Sequence, residues 1–322
     1  MNTSDARSTS PAIDDHLWPQ LADTESLLDP DIFTFSCERT IVTDRDVGTC
    51  TYLTKNPDEQ NKDVIFFLHP FSTDEKILHT HPDLAALLNK MGRHSPMIVS
   101  ITYHSNQVEN FMQKLFGRSF PFWFMSAQVK NKGMSGTLEH FTEVLTPHIL
   151  SSLEATHSLI GSKTLVGISM GGFNALTVYG QRASLFDRYA VLCPALVDFT
   201  PYDPLSAIKG FVRRAQETGA QVDGRFAYGF YGANRTFFFE SAEHFKKTSP
   251  YHVIKPMQKT LPPLWFSANE QDSMGFYPPA MDYVQHVEKL AVSFQNHSIP
   301  GGHCKNLDQI QSSLTDFLLS QP

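Results

Sequence analysis

The sequence predicts an α/β fold with a mostly parallel, doubly wound β-sheet that is covered by helices on both faces. Short apolar runs recur along the chain, at residues 63–69, 97–103, 163–168, 188–196, 261–268 and 291–299. Runs that are apolar on both faces are typical of buried parallel strands. Segments with apolar residues three and four apart, as in helices, lie between or after them, at residues 81–92, 136–157, 170–183, 281–291 and 306–320. This alternating order of strands and helices predicts the fold.

The elements before and between these runs complete the predicted sheet. Residues 31–41 and 48–55 alternate in polarity and are separated by the turn-prone sequence TDRDVG, which predicts an antiparallel pair at one edge of the sheet. Two further segments, at about 104–135 and 197–258, are too long for simple connections between elements. Long excursions of this kind are usually functional loops, and we expect them to form an inserted cap.

Domain organisation follows from length and composition. The first 25 residues are rich in Ser, Thr, Asp and Pro and contain no apolar segment of the kind that a secretory signal needs. We therefore expect a disordered tail over residues 1–25. The chain has 322 residues, of which 41% are hydrophobic, and α/β folds of this size form around one sheet. Residues 26–322 are accordingly predicted to form a single domain.

Charge and hydropathy exclude two classes of partner. The net charge is −7, and no basic cluster of the kind that binds nucleic acid is present. No apolar segment approaches the roughly 20 residues that span a bilayer, so no transmembrane helix is predicted. The aromatic sequence FPFWFMSA, at 120–127, leaves shallow membrane contact open.

The cysteines are few and widely spaced. Four are present, at Cys37, Cys50, Cys193 and Cys304, and no two form a C-x-x-C pair. This spacing predicts neither a disulfide framework nor a zinc site, and it favours a reducing compartment and a cytoplasmic location. Cys193 and Cys304 are interpreted as small apolar core residues, with redox sensitivity as the alternative.

Ser169 is the predicted nucleophile. It lies at the centre of the sequence GISMG, directly after the apolar run 163–168 and before a predicted helix. A serine on a sharp strand-to-helix turn needs small residues two positions before and after it, because strand and helix nearly collide there. Gly167 and Gly171 meet that requirement.

A serine hydroxyl needs an imidazole base and an anion that orients the imidazole. His303 follows the last apolar run, within PGGH, and is the predicted base. The sequence ANEQD follows the preceding run and offers Asp272 as the predicted acid, with Glu270 as the second choice. Asp198, which follows the run at 188–196, is the third.

The oxyanion that forms during acyl transfer needs two backbone N–H donors. Met170, the residue after the nucleophile, is predicted to supply one. The second should come from HPFST, after the first apolar run. Because Pro70 has no N–H group, Phe71 is the predicted donor and Ser72 the alternative.

The aromatic residues of the first long excursion are candidates for substrate binding. Phe120, Phe122, Trp123 and Phe124 are consecutive or alternate outside any predicted strand. Such a segment needs a cover, which a lid, a partner or an apolar substrate could provide. We predict that they line an apolar acyl pocket, and the alternative is that they pack the cap against the sheet.

A second constellation suggests metal chemistry instead. HTHPD contains His79, His81 and Asp83, the beginning of a binuclear metallohydrolase pattern, but Leu84 stands where that pattern needs a histidine. We therefore predict no metal and no cofactor, and keep a metallohydrolase as the alternative.

The sequences GISMGGFNAL and PGGH resemble those of the α/β-hydrolase superfamily, and are most similar to the esterase D branch of serine esterases. The resemblance covers roughly residues 30–320 and implies an α/β-hydrolase fold. It also implies hydrolysis of a small carboxylic ester or thioester through a serine acyl-enzyme. The sequence departs from the family pattern at Pro70 and Asn269, where glycines are usual. An acyltransferase with the same triad and a catalytically silent binding protein remain as alternatives.

Overall fold

The computed structural model describes residues 26–55, 62–129, 134–157, 161–222 and 224–320. The predicted tail at residues 1–25 lies outside these ranges. Within them, the chain forms one eight-stranded sheet in the order β1-β2-β4-β3-β5-β6-β7-β8. The strands are β1 (Phe33–Val42), β2 (Arg45–Thr54), β3 (Val64–Leu68), β4 (Met97–His104), β5 (Lys163–Ile168), β6 (Arg188–Leu192), β7 (Leu264–Asn269) and β8 (Phe294–Ile299).

The pairing confirms the predicted sheet. The strands β1 and β2 pair antiparallel, and β2 pairs antiparallel with β4. All other neighbouring strands are parallel, from β4 and β3 through to β8. The six apolar runs therefore form the parallel part, and the alternating pair forms one edge, as the sequence predicts.

Helices cover the sheet and fill the two long excursions. Those that follow strands of the sheet include α1 (Ile77–Thr80), α2 (Pro82–Met91), α3 (Asn106–Phe116), α4 (Thr137–Glu139), α5 (Thr146–His157) and α6 (Met170–Arg182). A π-helical segment, His140–Leu145, joins α4 to α5. The second excursion contains α7 (Leu205–Glu217), α8 (Gly224–Ala233), α9 (Ala242–Thr248) and α10 (Pro250–Ile254), and α11 (Tyr277–Val287) and α12 (Gln311–Leu319) complete the chain.

Several boundaries differ from the sequence prediction for identifiable reasons. The run at 188–196 stops being a strand after Leu192, because Cys193 has a left-handed backbone with φ 39°. The strand β7 begins only at Leu264, after two prolines that cannot donate to a sheet. The helix α11 begins four residues before the predicted start, because prolines are tolerated in a first helical turn.

The core has two parts, one on each face of the sheet. Phe66 and Leu68 of β3 belong to a large cluster that includes α6 and the aromatic residues of both excursions. Ile65 and Phe67 of the same strand belong to a second cluster with α2 and α12. Successive residues of a strand point to opposite faces, so the central strands are buried on both sides, as a doubly wound fold requires, whereas the edge strands β1 and β8 are largely exposed.

The prediction that the cysteines form no disulfide is wrong. Cys37 and Cys50 are disulfide-bonded, and they lie directly opposite one another across β1 and β2. Cys193 and Cys304 form a second disulfide across 111 residues of sequence. Strand register and fold topology bring these pairs together, and sequence spacing encodes neither. The disulfides remove the ground for a reducing compartment, so a cytoplasmic location stays a prediction.

No helix in the described part of the chain has the length and apolar character needed to cross a membrane.

Candidate active site

Ser169 lies on a sharp turn between β5 and α6. Its backbone has φ 54° and ψ −111°, a conformation that residues with a side chain rarely adopt. The two neighbouring glycines are required by close approach: a Cβ on Gly167 would overlap the carbonyl oxygen of Gly171, and a Cβ on Gly171 would overlap that of Leu68. The strained turn therefore depends on glycine at both positions and presents the serine side chain beyond the end of the strand.

Ser169, His303 and Asp272 form a continuous hydrogen-bonded chain. The Oγ atom of Ser169 is 2.7 Å from Nε2 of His303, and Nδ1 of His303 is 2.7 Å from Oδ2 of Asp272. The other carboxylate oxygen of Asp272 accepts from the backbone N–H of Met274 at 2.8 Å. All three side chains are buried. They follow β5, β7 and β8, whose carboxyl ends meet at one edge of the sheet, where sites of open α/β folds form.

The two alternative acids have other partners. The carboxylate of Glu270 lies 3.5 Å from the amide nitrogen of Gln271. Asp198 forms an ion pair with Arg214 of α7, and burial raises the pKa of its carboxyl. Of the three candidate acids, Asp272 is the one that the fold brings to His303.

The loop that carries His303, residues 301–305, is held by side chains from the end of β7 and the turn after it. The amide oxygen of Asn269 accepts from the N–H of Cys304 at 3.0 Å, and its amide nitrogen donates to Lys305 O at 2.9 Å. Gln271 accepts from the N–H of Gly301 at 2.6 Å. In the sequence, Asn269 stands out only as a substitute for the usual glycine, and its role in holding this loop is missed because both of its partners are backbone groups.

The predicted second oxyanion donor lies in a tight turn after β3. Ser72 has a left-handed backbone with φ 64°, and the carbonyl of Pro70 accepts from Oγ1 of Thr73 at 2.9 Å. Phe71 is buried between these residues. Gly171 packs against the carbonyls of Leu68 and His69, so the first turn of α6, which begins at Met170, lies against this turn.

His69 connects the same turn to the first excursion. The indole N–H of Trp123 donates to Nε2 of His69 at 3.0 Å. Because Nε2 accepts, Nδ1 carries the proton, and it lies 2.8 Å from the carbonyl oxygen of Pro70, to which it donates. Complete burial lowers the pKa of His69 to about 4. The imidazole is therefore neutral at pH 7 and keeps this tautomer.

The predicted substrate-binding aromatic residues join the two excursions. The Phe71 ring meets those of Phe120 and Phe122 edge to face, with centroids 4.9 and 5.4 Å apart. Phe122 and Phe124 in turn contact Phe238 of the second excursion. We call Phe71, Phe116, Phe120, Phe122, Phe124, Phe230 and Phe238 the aromatic cluster. Trp123, which is fully buried, faces His69 and Tyr103 instead.

Asn174 of α6 fixes the extended segment that carries these rings. Its amide oxygen accepts from the N–H of Met125 at 2.7 Å, and its amide nitrogen donates to the carbonyl of Trp123 at 3.2 Å. The Asn174 side chain thus satisfies backbone groups that a neighbouring strand would satisfy in a sheet. The helix that follows the nucleophile therefore holds the segment against its own first two turns.

The histidines of HTHPD lie on the other face of the sheet. Nδ1 of His79 is 2.8 Å from the Tyr52 hydroxyl, and its ring stacks on Phe35 with a centroid distance of 4.2 Å. These contacts tie α1 to the antiparallel edge pair.

Comparison with known proteins identifies the family of this chain. Residues 41–305 match the model of the family described as "Putative esterase". Comparison with curated proteins gives no match.

Solved structures with the same fold cover most of the chain. The S-formylglutathione hydrolase of Agrobacterium tumefaciens is 10% identical, covers 89% of this chain and 94% of its own, and has a TM-score of 0.61. A bacterial brefeldin A esterase is 12% identical, with coverages of 90% and 78% and a TM-score of 0.62. The fluorophosphonate-binding serine hydrolase F of Staphylococcus aureus is 13% identical, with coverages of 91% and 100% and a TM-score of 0.53. The match to the family model spans most of the length of this chain. The chain therefore belongs to this esterase family and is a hydrolase of the α/β-hydrolase superfamily.

Proposed function

We propose that this esterase hydrolyses a small carboxylic ester or thioester through an acyl-enzyme on Ser169. The observation that carries the proposal is the hydrogen-bonded chain from Ser169 Oγ through His303 to Asp272. A neutral His303 accepts the serine proton as Oγ attacks the carbonyl carbon, and Asp272 stabilises the imidazolium that forms. His303 then gives the proton to the leaving alcohol or thiol. In the second half, His303 activates a water molecule that releases the acid.

The backbone N–H groups of Met170 and Phe71 are the proposed donors to the oxyanion. Support comes from the packing of the first turn of α6 against the turn at 69–73, because both donors then lie near the carboxyl end of the nucleophile strand. Fixed donors of this kind contribute on the order of 3–4 kcal/mol to transition-state binding.

Residues 26–322 act in this scheme as one domain, with the excursions at 104–135 and 197–258 as a cap.

The acyl group is proposed to be apolar and to bind against the aromatic cluster. Phe71 provides the link, because it lies in the oxyanion turn and its ring contacts Phe120 and Phe122. Trp123 supports the same turn through its hydrogen bond to His69. Burial of each methylene of a substrate contributes on the order of 0.8 kcal/mol, so an apolar wall beside the reacting carbon selects for acyl chains that reach it.

Reaction with a fluorophosphonate tests the nucleophile. The wild type is expected to gain one covalent adduct, and Ser169→Ala to gain none while keeping its fold by circular dichroism. The same variant should lose ester hydrolysis by about 10⁴- to 10⁶-fold in kcat, as is usual when a triad nucleophile is removed. Ser152→Ala, an exposed serine on α5, is the control and should behave as the wild type. Normal hydrolysis by Ser169→Ala would refute the acyl-enzyme.

Two alternatives give different results in the same assay. An acyltransferase would pass the acyl group to an added alcohol in preference to water, which product analysis detects. A catalytically silent binding protein would form no adduct with the probe. The hydrogen bond between Ser169 and His303 favours reaction over binding alone, because it prepares the serine for proton transfer.

A further inference from the structure

The disulfide between Cys193 and Cys304 lies inside the candidate active site. Cys193 directly follows β6, and Cys304 directly follows the proposed base, His303. The Sγ atom of Cys304 is 3.5 Å from Nε2 of His303. The two sulfur atoms and one imidazole nitrogen all lie within 4.8 Å of one another, and the three residues are buried. The proposed reaction uses neither sulfur atom.

Reduction would change what this cluster can bind. A dithiol reductant breaks the S–S bond, supplies two electrons and two protons to the sulfur atoms, and itself becomes a disulfide. The protein then holds two thiols beside the imidazole of His303. Two thiolates and one imidazole form a donor set that Zn²⁺ prefers, and the oxidised pair offers no thiolate at all.

The distances suit a tetrahedral ion. With Zn–N near 2.1 Å and Zn–S near 2.3 Å, a nitrogen and a sulfur on the same zinc are about 3.6 Å apart, and two sulfur atoms are about 3.8 Å apart. The distance between Nε2 of His303 and Sγ of Cys304 is already 3.5 Å. The Cα atoms of Cys193 and Cys304 are 5.5 Å apart, so the two sulfur atoms can separate by side-chain rotation alone.

We propose that the reduced Cys193–Cys304 pair and His303 form a Zn²⁺ site that switches the esterase off, and that the disulfide protects the enzyme from this metal. The ion would occupy the Nε2 lone pair of His303, which otherwise accepts the proton of Ser169. The Ser169 hydroxyl, 2.7 Å from Nε2, or a water molecule would complete the four ligands. Binding releases the thiol protons, since zinc takes thiolates.

The second disulfide offers a matched control. Cys37 and Cys50 lie across β1 and β2. Among the described residues, Cys193, His303 and Cys304 are close enough to one another to hold a metal ion. Cys37 and Cys50 belong to no such group of three His, Cys or acidic side chains within the described ranges. Reduction of that pair alone should create no zinc site.

Zinc binding is measured directly, by competition between the full-length protein and a metallochromic indicator. Protein reduced with dithiothreitol and freed of it without air should bind one equivalent of Zn²⁺, and oxidised protein should bind none at the same concentrations. Cys193→Ser, reduced in the same way, should bind at least about 100-fold more weakly, since even residues that only support a ligand contribute about 10- to 100-fold. Cys37→Ser should bind as the wild type.

Activity provides the second readout. Zinc should inhibit ester hydrolysis by the reduced wild type, and a chelator should restore that activity. The residual activity of Cys193→Ser should be unaffected by the same zinc concentration. Equal zinc affinity in the oxidised and reduced proteins would overturn the proposal, as would unaltered affinity in Cys193→Ser or unfolding of the reduced wild type. Because the indicator needs no turnover, a failed esterase assay would leave the binding result intact, and the two proposals fail separately.

Discussion

Asp272 is the carboxylate that contacts His303, and its amide should be a poor substitute. Asp272→Asn keeps the size of the side chain but can hold His303 in the wrong tautomer, so we expect kcat to fall by about 10⁴-fold. Glu270→Gln, two residues away and without contact to the imidazole, is the matched control and should stay within a few-fold of the wild type. Steady-state kinetics on one ester measure both. The opposite ranking would move the role of the acid to Glu270.

At this scale the sequence predicts groups that take part in a motif and misses those that support them. Ser169, His303 and Asp272 can be located because each must follow a particular strand. Asn269 and His69 hold loops through hydrogen bonds whose partners are backbone groups. Such partners carry no residue identity, so no sequence pattern marks them. The disulfides are missed for a related reason, because the pairing depends on register and topology.

The aromatic cluster is the element that connects the two excursions, and its proposed role can be tested by chain length. For the wild type, kcat/KM should rise about fourfold for each added methylene, since each contributes on the order of 0.8 kcal/mol, until the pocket is full. Phe122→Leu removes part of a ring that contacts Phe71 and Phe124, and should shift the optimum to longer acyl chains.

The control for this series is Phe141→Leu, a buried ring that contacts Phe186 away from the cluster. It loses similar volume from the same core and should keep the chain-length optimum of the wild type. A profile that is flat in both the wild type and Phe122→Leu would show that the cluster only packs the cap.

A buried cation ties the end of the helix α12 to the sheet. The Arg188 guanidinium of β6 donates to the carbonyls of Phe317 at 2.8 Å and Leu318 at 3.2 Å, and to Ser320. These are the carbonyls at the end of α12, which lack partners within the helix. Arg188→Met removes the donor of the Leu318 carbonyl and one of the two donors of the Phe317 carbonyl, and should lower the free energy of unfolding by about 3 kcal/mol.

Urea unfolding measures this loss, and Arg188→Lys is the informative companion. Lysine retains the charge without the planar fork that reaches several carbonyls, so its unfolding free energy should lie between those of the wild type and Arg188→Met. A lysine variant as stable as the wild type would mean that charge alone holds the helix end.

Sequence predicts the elements of the sheet better than those of the excursions. Strands β3 to β7 are buried on both faces by the fold, so their apolar runs are continuous and visible. The edge strand β8 is partly exposed and carries a weaker apolar signal. The aromatic segment around Phe122 is equally apolar, yet it is extended without a neighbouring strand, because Asn174 and the cluster satisfy it instead. Local pattern cannot distinguish these two ways of burying an extended chain.

At the scale of the whole molecule, one buried charge joins β4, the segment after the oxyanion turn, and α3. His104 lies between Glu75 and Glu109, with nitrogen to oxygen distances of 3.4 and 3.0 Å. Burial lowers the pKa of His104, but its interactions with the carboxylates of Glu109 and Glu75 outweigh burial and raise the pKa to about 9. Burial raises the pKa of Glu75, but the interaction with His104 outweighs burial, so the pKa of Glu75 falls to about 2.

These shifts predict how stability depends on pH. The pKa of His104 is raised on folding, so its contribution is complete below about pH 6.5 and is lost as the pH rises towards 9. The pKa of Glu75 is lowered on folding, so its contribution is complete above about pH 4.5 and is lost as the pH falls towards 2. The contribution of His104 and its two carboxylate partners to stability should therefore be largest between about pH 4.5 and 6.5.

Urea unfolding of the wild type and of His104→Gln from pH 5.5 to 9 separates the contribution of His104 from that of other titrating groups. The difference in unfolding free energy between the two proteins should be greatest near pH 5.5 and should shrink by up to about 3 kcal/mol by pH 9, as a shift of this size implies. His148→Gln, at an exposed histidine of α5, is the control and should leave the pH dependence of the wild type unchanged. A difference that stays constant from pH 5.5 to 9 would mean that His104 is not held as a cation between the two carboxylates, and that β4 and α3 are joined by packing alone.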